Sequence, residues 1–267
     1  MNTTDLSTKH TIKVYGSGDR TLVFSHGFGL DQTSWHGIAM RLARTHRVVL
    51  FDLVGFTGAS SEHYDHHKYR DLESYADDLL NVLGHARVRR CTFIGHSVSG
   101  MIGLLASIQE PTLFEKLILV GASPRYRNGE GYNGGFEEQD LNDLFDSMSE
   151  NYVLWTQNFA PAAVSKPTGH PAVRKFAEGL LAMRPDVALS IALMIFSSDC
   201  RDRLAQVSVP CTLIQSRNDI AVPLSVAEYL TAMIPDSELM VIDADGHMPQ
   251  LSAPDILYDA IQRALTA

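Results

Sequence analysis

The chain has 267 residues, 45% of them hydrophobic, which is enough to bury one large core. Its 31 acidic residues outnumber its 22 basic ones, and the formal net charge of −9 argues against a surface that binds nucleic acid or anionic membranes. The three cysteines, Cys91, Cys200 and Cys211, lie in apolar or strand-like stretches without metal-ligand spacing, so we expect buried thiols in a reducing compartment.

The beginning of the chain is polar from Met1 to His10, and no apolar run is long enough to span a bilayer. We therefore expect no signal peptide, no membrane contact and a cytoplasmic protein.

Short strands are predicted over residues 11–15, 21–25 and 47–52 from their alternating or continuous apolar patterns. A glycine-flanked loop, residues 26–29, directly follows the second strand.

Three histidines, His63, His66 and His67, lie close together in a loop rich in tyrosine and aspartate. The loop offers no pair of ligands at the helical spacing that metal sites use. We therefore interpret it as a solvated loop, and we expect neither a metal nor a cofactor.

An amphipathic helix is predicted over residues 72–86, followed by a strand at 91–94 and a helix at 101–108. Strands and helices thus alternate along the chain, and the strands are almost continuously apolar. This pattern predicts a mostly parallel sheet that helices cover on both faces.

The turn between that strand and helix reads Gly95-His-Ser-Val-Ser99 and places Ser97 at its apex. A serine on a strand–turn–helix elbow presents an exposed hydroxyl, as the nucleophile of α/β-hydrolases does. The alternative is that glycine and serine merely suit a tight turn and a helix cap. Ser99 occupies the last glycine position of the generic Gly-x-Ser-x-Gly motif, and we interpret it as a subfamily variant because a small side chain fits there.

After a strand at 116–121 the pattern changes, and residues 132–198 contain no strand-like run. Four helices are predicted there, over residues 137–148, 151–163, 171–183 and 185–196. We therefore predict an α/β-hydrolase fold with a core formed by residues 1–131 and 199–267. A four-helix cap, residues 132–198, is inserted after the sixth core strand.

The final strands are predicted at 211–216 and 238–242, and a last helix at 254–265. Asp219 follows the first of these strands and His247 the second. With Ser97 they give the order serine, acid, histidine that this fold uses for nucleophilic catalysis. Asp243 and Asp245 are rival acids, but they would have to fold back onto the ring of His247.

Such a triad needs backbone donors for the oxyanion that forms during attack. The second donor in this fold lies in a loop after a strand that faces the elbow. We therefore expect the oxyanion hole to consist of the N–H groups of Phe28 and Val98.

Motifs at residues 95–103, 121–126, 134–138, 183–186 and 246–254 resemble the α/β-hydrolases that include plant karrikin and strigolactone receptors and bacterial RsbQ. The resemblance covers nearly the whole chain, including the cap. It implies slow hydrolysis of a small apolar ester or butenolide lactone by Ser97, with acylation of Ser97 or His247. The residues expected to line the pocket are His26, Phe28, His96, Phe136, Trp155, Phe159, Leu189, Phe196 and Met248.

The same resemblance implies partners that depend on the branch of the family. Plant members recruit an F-box protein and a repressor through the cap, and would also be nuclear; the bacterial member supports a stress-signalling phosphatase. The loop at residues 54–60 is closer to bacterial relatives, whereas Met183-Arg-Pro-Asp186 is plant-like, so both branches stay open.

We expect a monomer. The alternatives are a general carboxylesterase or carbon–carbon hydrolase of the same fold, and a ligand-binding signalling module with incidental hydrolysis.

Overall fold

The computed structural model describes residues 3–266, with side chains from Leu6 onward; residues 1, 2 and 267 of the predicted core lie outside this range. The strands are β1 (Lys13–Tyr15), β2 (Thr21–Ser25), β3 (Arg47–Leu50), β4 (Cys91–His96), β5 (Phe114–Val120), β6 (Cys211–Asn218) and β7 (Ser237–Asp245). The helices are α1 (Thr3–His10), α2 (His36–Leu42), α3 (Leu72–His85), α4 (Val98–Gln109), α5 (Glu138–Glu150), α6 (Tyr152–Val164), α7 (Pro171–Ala182), α8 (Pro185–Ser197), α9 (Leu224–Met233), α10 (Pro249–Ser252) and α11 (Pro254–Thr266).

The strands form one sheet in the order β1-β3-β2-β4-β5-β6-β7, which confirms the predicted architecture. Only the short edge strand β1 pairs antiparallel, and the remaining pairings among the described strands are parallel. In the register, Ser25 of β2 lies beside Gly95 of β4, and His96 beside Val120 of β5. The loops that leave these strands therefore meet at one edge of the sheet.

Apolar side chains fill both faces of the sheet because neighbouring residues of a strand point to opposite sides. Phe93 packs into the core on one face with Tyr75 of α3, whereas Ile94 packs on the other with Trp35 and Ile261. All of these side chains are buried. This two-sided burial explains why β4 reads as a continuous apolar run in the sequence.

The four predicted cap helices are present as α5 to α8, and their ends agree with the prediction to within two residues. Local sequence explains several of the helix starts. Glu137 and Asp140 form a capping box at α5, Asn151 caps α6, and α7 and α8 each begin with a proline in the first position. The exact limits of the cap, residues 132–198, stay a prediction.

The position of the cap in the strand order differs from the prediction. Within residues 3–266 the cap follows the fifth strand, β5, and not a sixth. The five strands before the cap correspond to the five apolar stretches predicted at residues 11–15, 21–25, 47–52, 91–94 and 116–121, so the ordinal in the prediction was one too high. Lys9 and His10 lie in the last turn of α1, where positive charge complements the helix dipole.

The three cysteines are free and buried, as predicted. Burial is the main reason why the pKa of each thiol is raised to about 12.

No single helix among residues 3–266 has the length and apolar character needed to cross a bilayer. The consecutive helices α7 and α8 reach both only when they are taken together, and they are bent by 107° at their junction.

Candidate active site

Ser97 lies between the end of β4 and the start of α4 with backbone angles of φ 57° and ψ −127°. A positive φ is unfavourable for a residue with a side chain, so the surrounding structure must hold it in place. The N–H of Ser97 donates to the carbonyl of Val120 at 2.8 Å. A side chain at Gly95 would lie 2.6 Å from the carbonyl oxygen of Ser99, which is why the elbow needs glycine there. The predicted strand–turn–helix is therefore present, with the serine at its apex.

The structure brings Ser97, Asp219 and His247 together. Nε2 of His247 lies 2.8 Å from Oγ of Ser97, and Nδ1 lies 2.8 Å from Oδ2 of Asp219. An ionised carboxylate can only accept, so Nδ1 carries the proton and Nε2 is left to accept from the serine hydroxyl. This is the arrangement in which a histidine can act as a base towards serine.

Asp219 is buried, yet several donors stabilise its charge. Burial itself opposes ionisation, but His247 and the amides of Ala221 and Val222, which donate to Oδ1 at 2.8 and 3.0 Å, hold the pKa of the carboxyl below its usual value. Asp219 is therefore ionised at neutral pH. Its negative charge lies where it would stabilise a positive charge on the imidazole.

The two rival acids lie elsewhere. Asp243 is exposed and lies 3.2 Å from Arg217, and Asp245 accepts a hydrogen bond from Asn218 at 2.7 Å. Within the described part of the chain, neither carboxylate contacts the ring of His247. The cap also holds residues 245–248, which we term the base loop. The N–H of His247 donates to the carbonyl of Ala163 near the end of α6.

The loop at residues 26–29, which we term the oxyanion loop, packs tightly against the elbow. A side chain at Gly27 would lie 3.0 Å from Cβ of Ser97 and 2.6 Å from Nδ1 of His96. Among the described residues, the amides of Phe28 and Val98 donate to no other protein group. Both amides are therefore available to a ligand, as an oxyanion hole requires.

Two predicted pocket residues, His26 and His96, lie behind the site and do not line it. Both are completely buried. Nε2 of His26 accepts from the amide of Leu53 at 3.1 Å, and Nδ1 donates to the carbonyl of Gly27. His96 donates from Nε2 to the carbonyl of His247, and burial, together with the neighbouring His247, lowers its pKa to about 3. Both histidines support the surrounding loops through bonds to backbone groups, His26 through both ring nitrogens and His96 through Nε2. Nδ1 of His96 is buried without a partner among the described residues.

A narrow apolar cavity of about 30 Å³ lies over Ser97, between the cap and the core. This space is far smaller than the pockets of about 300–1,000 Å³ that hold drug-sized ligands. Four of the nine predicted pocket residues line the cavity, namely Phe28, Phe159, Phe196 and Met248. The complete lining is Phe28, Ser97, Tyr126, Phe159, Phe176, Ile195, Phe196, Ala221, His247 and Met248.

Three other predicted pocket residues form a second layer. Trp155 stacks on Phe159 with ring centroids 4.9 Å apart, and Phe136 packs edge-on against Phe196 at 5.6 Å. Leu189 is partly buried against the main core. None of the three lines the cavity; Trp155 and Phe136 pack behind lining rings, and Leu189 packs against the core.

Sequence reasoning missed Tyr126 as a site residue. Its hydroxyl lies 3.4 Å from Oγ of Ser97, and its ring contacts that of Phe196. Burial raises the pKa of Tyr126, so the hydroxyl stays protonated. The available signal was its place shortly after the carboxyl end of β5, at the same sheet edge as Ser97. Ala221 carried the same signal, since it lies shortly after the end of β6 at Asn218, whereas Phe176 and Ile195 lie on cap helices and did not carry it.

Within residues 3–266, no group of three or more histidine, cysteine, aspartate or glutamate side chains could hold a metal ion. In the predicted histidine loop, Nδ1 of His66 lies 3.2 Å from the hydroxyl of Ser190 in α8. His63, His66 and His67 are all exposed. The loop therefore contacts the cap.

Comparison with known proteins agrees with this geometry. The sequence profile of the Alpha/beta hydrolase family matches residues 22–260. A strigolactone esterase of Pisum sativum is 45% identical over 259 residues, which are 96% of each chain. A karrikin insensitive 2 receptor of Petunia hybrida is 44% identical over 255 residues, 95% of this chain and 94% of its own. The solved structure of a hydrolase from Oleispira antarctica superposes with a TM-score of 0.93 at 29% identity, covering 100% of this chain and 98% of that one.

Proposed function

This chain belongs to the alpha/beta hydrolase family, and we propose that it is a serine hydrolase that cleaves a small apolar ester or a butenolide-type lactone. One observation carries the proposal. The hydroxyl of Ser97, the ring of His247 and the carboxylate of Asp219 form a continuous hydrogen-bonded series under an apolar cavity. Such a series converts a weakly nucleophilic hydroxyl into an effective one.

In the proposed reaction, Oγ of Ser97 attacks the carbonyl carbon while its proton moves to Nε2 of His247. Asp219 stabilises the imidazolium that forms. The amides of Phe28 and Val98 donate to the oxygen that becomes negatively charged. The intermediate then collapses, the carbon–oxygen bond to the leaving group breaks, and His247 returns the proton to the leaving oxygen. In a lactone this oxygen stays tethered to the acyl group.

The second half of the reaction releases the acid. A water molecule gives a proton to His247 and attacks the acyl group on Ser97. The tetrahedral intermediate then collapses, the bond from the acyl carbon to Oγ breaks, and His247 returns the proton to Oγ, which releases the carboxylic acid and restores free serine. Because Nε2 of His247 is only 2.8 Å from Oγ of Ser97, the acyl group also lies within reach of the histidine. An adduct on either residue is consistent with this geometry.

The substrate class follows from the shape and chemistry of the cavity. Its lining is almost entirely apolar, and four phenylalanines, Phe28, Phe159, Phe176 and Phe196, face a small volume. Such a wall favours compact apolar ligands, and the similarity to a strigolactone esterase and a karrikin receptor supports a butenolide. A general carboxylesterase would instead need room for long acyl chains.

We also propose a signalling role in which the cap docks a partner protein. Val153 and Leu154 of α6 are each 52% exposed, and Leu181 and Leu193 add apolar surface on α7 and α8. The similarity to a receptor supports this role. The partner would be an F-box protein with a repressor on the plant branch, or a phosphatase regulator on the bacterial branch.

The test is incubation with a panel of butenolides and short p-nitrophenyl esters, followed by intact-mass and product analysis. We expect product and a transient adduct with the unaltered protein, and neither with Ser97→Ala. Ser107→Ala, which removes a buried hydroxyl elsewhere on α4, is the matched control and should behave as the unaltered protein. An adduct that is lost in His247→Ala would support the mechanism, whereas no adduct and no product with any member of the panel would overturn the hydrolase proposal.

The alternative of a ligand-binding module makes a separate prediction. If binding alone carries the signal, Ser97→Ala abolishes turnover but still binds the butenolide and retains partner recruitment. If turnover is required, recruitment is lost together with hydrolysis. Fast turnover of long acyl esters would favour a general carboxylesterase over both.

A further inference from the structure

We infer that Ser99 is a positioning residue that couples the nucleophile elbow to the oxyanion loop. The inference rests on the proposed serine hydrolase and deepens it. Ser99 stands where the generic elbow motif has glycine, so its hydroxyl is not required for the turn itself. The hydroxyl at this position must therefore have a role other than forming the turn.

The hydroxyl of Ser99 connects two segments of the chain. Its Oγ donates to the carbonyl oxygen of His26 at 2.5 Å and lies 2.7 Å from Oγ of Ser25. Since a serine hydroxyl has one hydrogen and that of Ser99 points to His26, the hydroxyl of Ser25 is the donor in the second contact. Ser25, His26 and Ser99 are all completely buried, so no water competes for these bonds.

This bridge lies where the two halves of the oxyanion hole come together. Val98 directly precedes Ser99, and Phe28 lies two residues after His26. The parallel pairing of β2 and β4 ends at Ser25 and Gly95, so beyond that point the two segments are no longer joined by the sheet. The hydrogen bond from Ser99 to His26 continues the connection past the end of the sheet.

The carbonyl of His26 belongs to the planar peptide that leads into Gly27. Holding that oxygen therefore fixes the direction in which the chain enters Gly27 and Phe28. The space is tight, because a Cβ on Gly27 would lie 3.0 Å from Cβ of Ser97. A small rotation of this peptide would move the Phe28 amide relative to the reacting carbonyl, and oxyanion donors work only at hydrogen-bond distance.

The test compares Ser99→Ala with Ser107→Ala in the complete chain. Ser107 is a matched control because it is also a buried serine of α4, but it bonds only within its helix, to the carbonyl of Leu104. With p-nitrophenyl acetate, we expect Ser99→Ala to lower kcat roughly 10- to 100-fold, less than or similar to the loss of a whole oxyanion donor. KM should change little, because the interaction that is weakened, the hydrogen bond from the Phe28 amide to the oxyanion, forms in the transition state. Ser107→Ala should keep the kcat of the unaltered protein.

Two further measurements separate positioning from a general loss of structure. Phenylboronic acid, whose adduct with Ser97 imitates the tetrahedral intermediate, should bind Ser99→Ala more weakly by a factor similar to the loss in kcat. The acid limb of the pH–rate profile should not move, because Ser99 does not contact His247. Ser99→Thr retains the hydroxyl and should keep a higher kcat than Ser99→Ala. If Ser99→Ala does not fold, Ser99→Gly replaces it in the same comparison.

The inference is overturned if Ser99→Ala keeps the full kcat, if only its KM changes, or if Ser107→Ala loses as much activity. These results differ from a failure of the proposed function. Full turnover in Ser97→Ala would overturn the assignment of the nucleophile, and the role of Ser99 with it. The serine variant that retains activity therefore identifies which proposal is wrong.

Discussion

Nε2 of His96 donates a hydrogen bond to the backbone carbonyl of His247 at 2.7 Å. The residue directly before the nucleophile thus holds the loop that carries the base. Both groups are buried, and the ring centroids of the two histidines are 5.0 Å apart. His96 and Ser99 flank Ser97 and Val98 in the sequence. The side chain of His96 bonds to the base loop, and that of Ser99 bonds to the oxyanion loop.

Replacing His96 by alanine should lower both stability and kcat. The carbonyl of His247 would be left without its donor in a dry site, which costs about 1–3 kcal/mol of unfolding free energy. The base would also lose one of its supports, so kcat for p-nitrophenyl acetate should decrease. Urea unfolding and steady-state kinetics measure the two effects. His63→Ala, at an exposed histidine, is the control, and a His96→Ala protein with unaltered kcat would contradict the role.

Asp219→Asn should reduce kcat strongly, roughly 10³- to 10⁴-fold, because the amide no longer favours the tautomer in which Nε2 accepts the serine proton. Asp243→Asn is a close control, since Asp243 lies in the neighbouring loop but is exposed and contacts Arg217. Steady-state kinetics on both variants decide the matter. If Asp243→Asn is the variant that loses activity, Asp219 is not the acid of the triad.

The same carboxyl should make stability dependent on pH. The pKa of the Asp219 carboxyl is below its usual value in the folded chain, so the ionised carboxylate stabilises the fold. Its contribution to the unfolding free energy is complete above the pKa of the unfolded chain, and it is lost as the pH falls through the pKa of the folded chain. The unaltered protein should therefore lose more unfolding free energy on acidification from the usual aspartate pKa of 3.8 downwards than Asp219→Asn does. Urea titrations at several acidic pH values test this. Parallel curves for the two proteins would show that Asp219 makes no such contribution.

Tyr126→Phe should have a small effect on the rate. The Tyr126 hydroxyl is 3.4 Å from Oγ of Ser97, a long contact, whereas His247 lies at 2.8 Å and supplies the proton acceptor. We expect kcat to change by less than about tenfold, since a weak neutral hydrogen bond contributes about 1 kcal/mol. A loss as large as that of Asp219→Asn, measured in the same assay, would make Tyr126 a catalytic residue.

Phe196→Ala should widen the range of substrates. The ring of Phe196 lines the cavity and packs against Tyr126 and Phe136. Its removal enlarges the space over Ser97, so longer p-nitrophenyl esters should become better substrates, at a stability cost of about 3–5 kcal/mol. Phe136→Ala removes a ring from the second layer and should destabilise the chain without changing the preferred ester length. Equal length profiles for the two variants would contradict the assignment of the lining.

The sequence alone predicted the sheet, the four cap helices and the three residues Ser97, Asp219 and His247. These features follow from local patterns and one topological rule. Apolar periodicity defines the strands and helices, and in a parallel sheet the loops after the strands gather at one edge. Residues far apart in sequence could therefore be expected to meet without knowledge of any individual contact.

The tertiary structure decided what lines the cavity and what supports the site. Periodicity identifies the apolar face of a cap helix, but not whether that face meets the cavity or another helix. Phe176 thus lines the cavity, whereas Trp155 stacks behind Phe159. His26, His96 and Ser99 also depend on the fold, because each bonds to a backbone group that only the packing of strands and loops brings near. Such contacts between distant residues leave no periodic signal in the sequence, since they depend on the position of one atom and not on a repeated pattern.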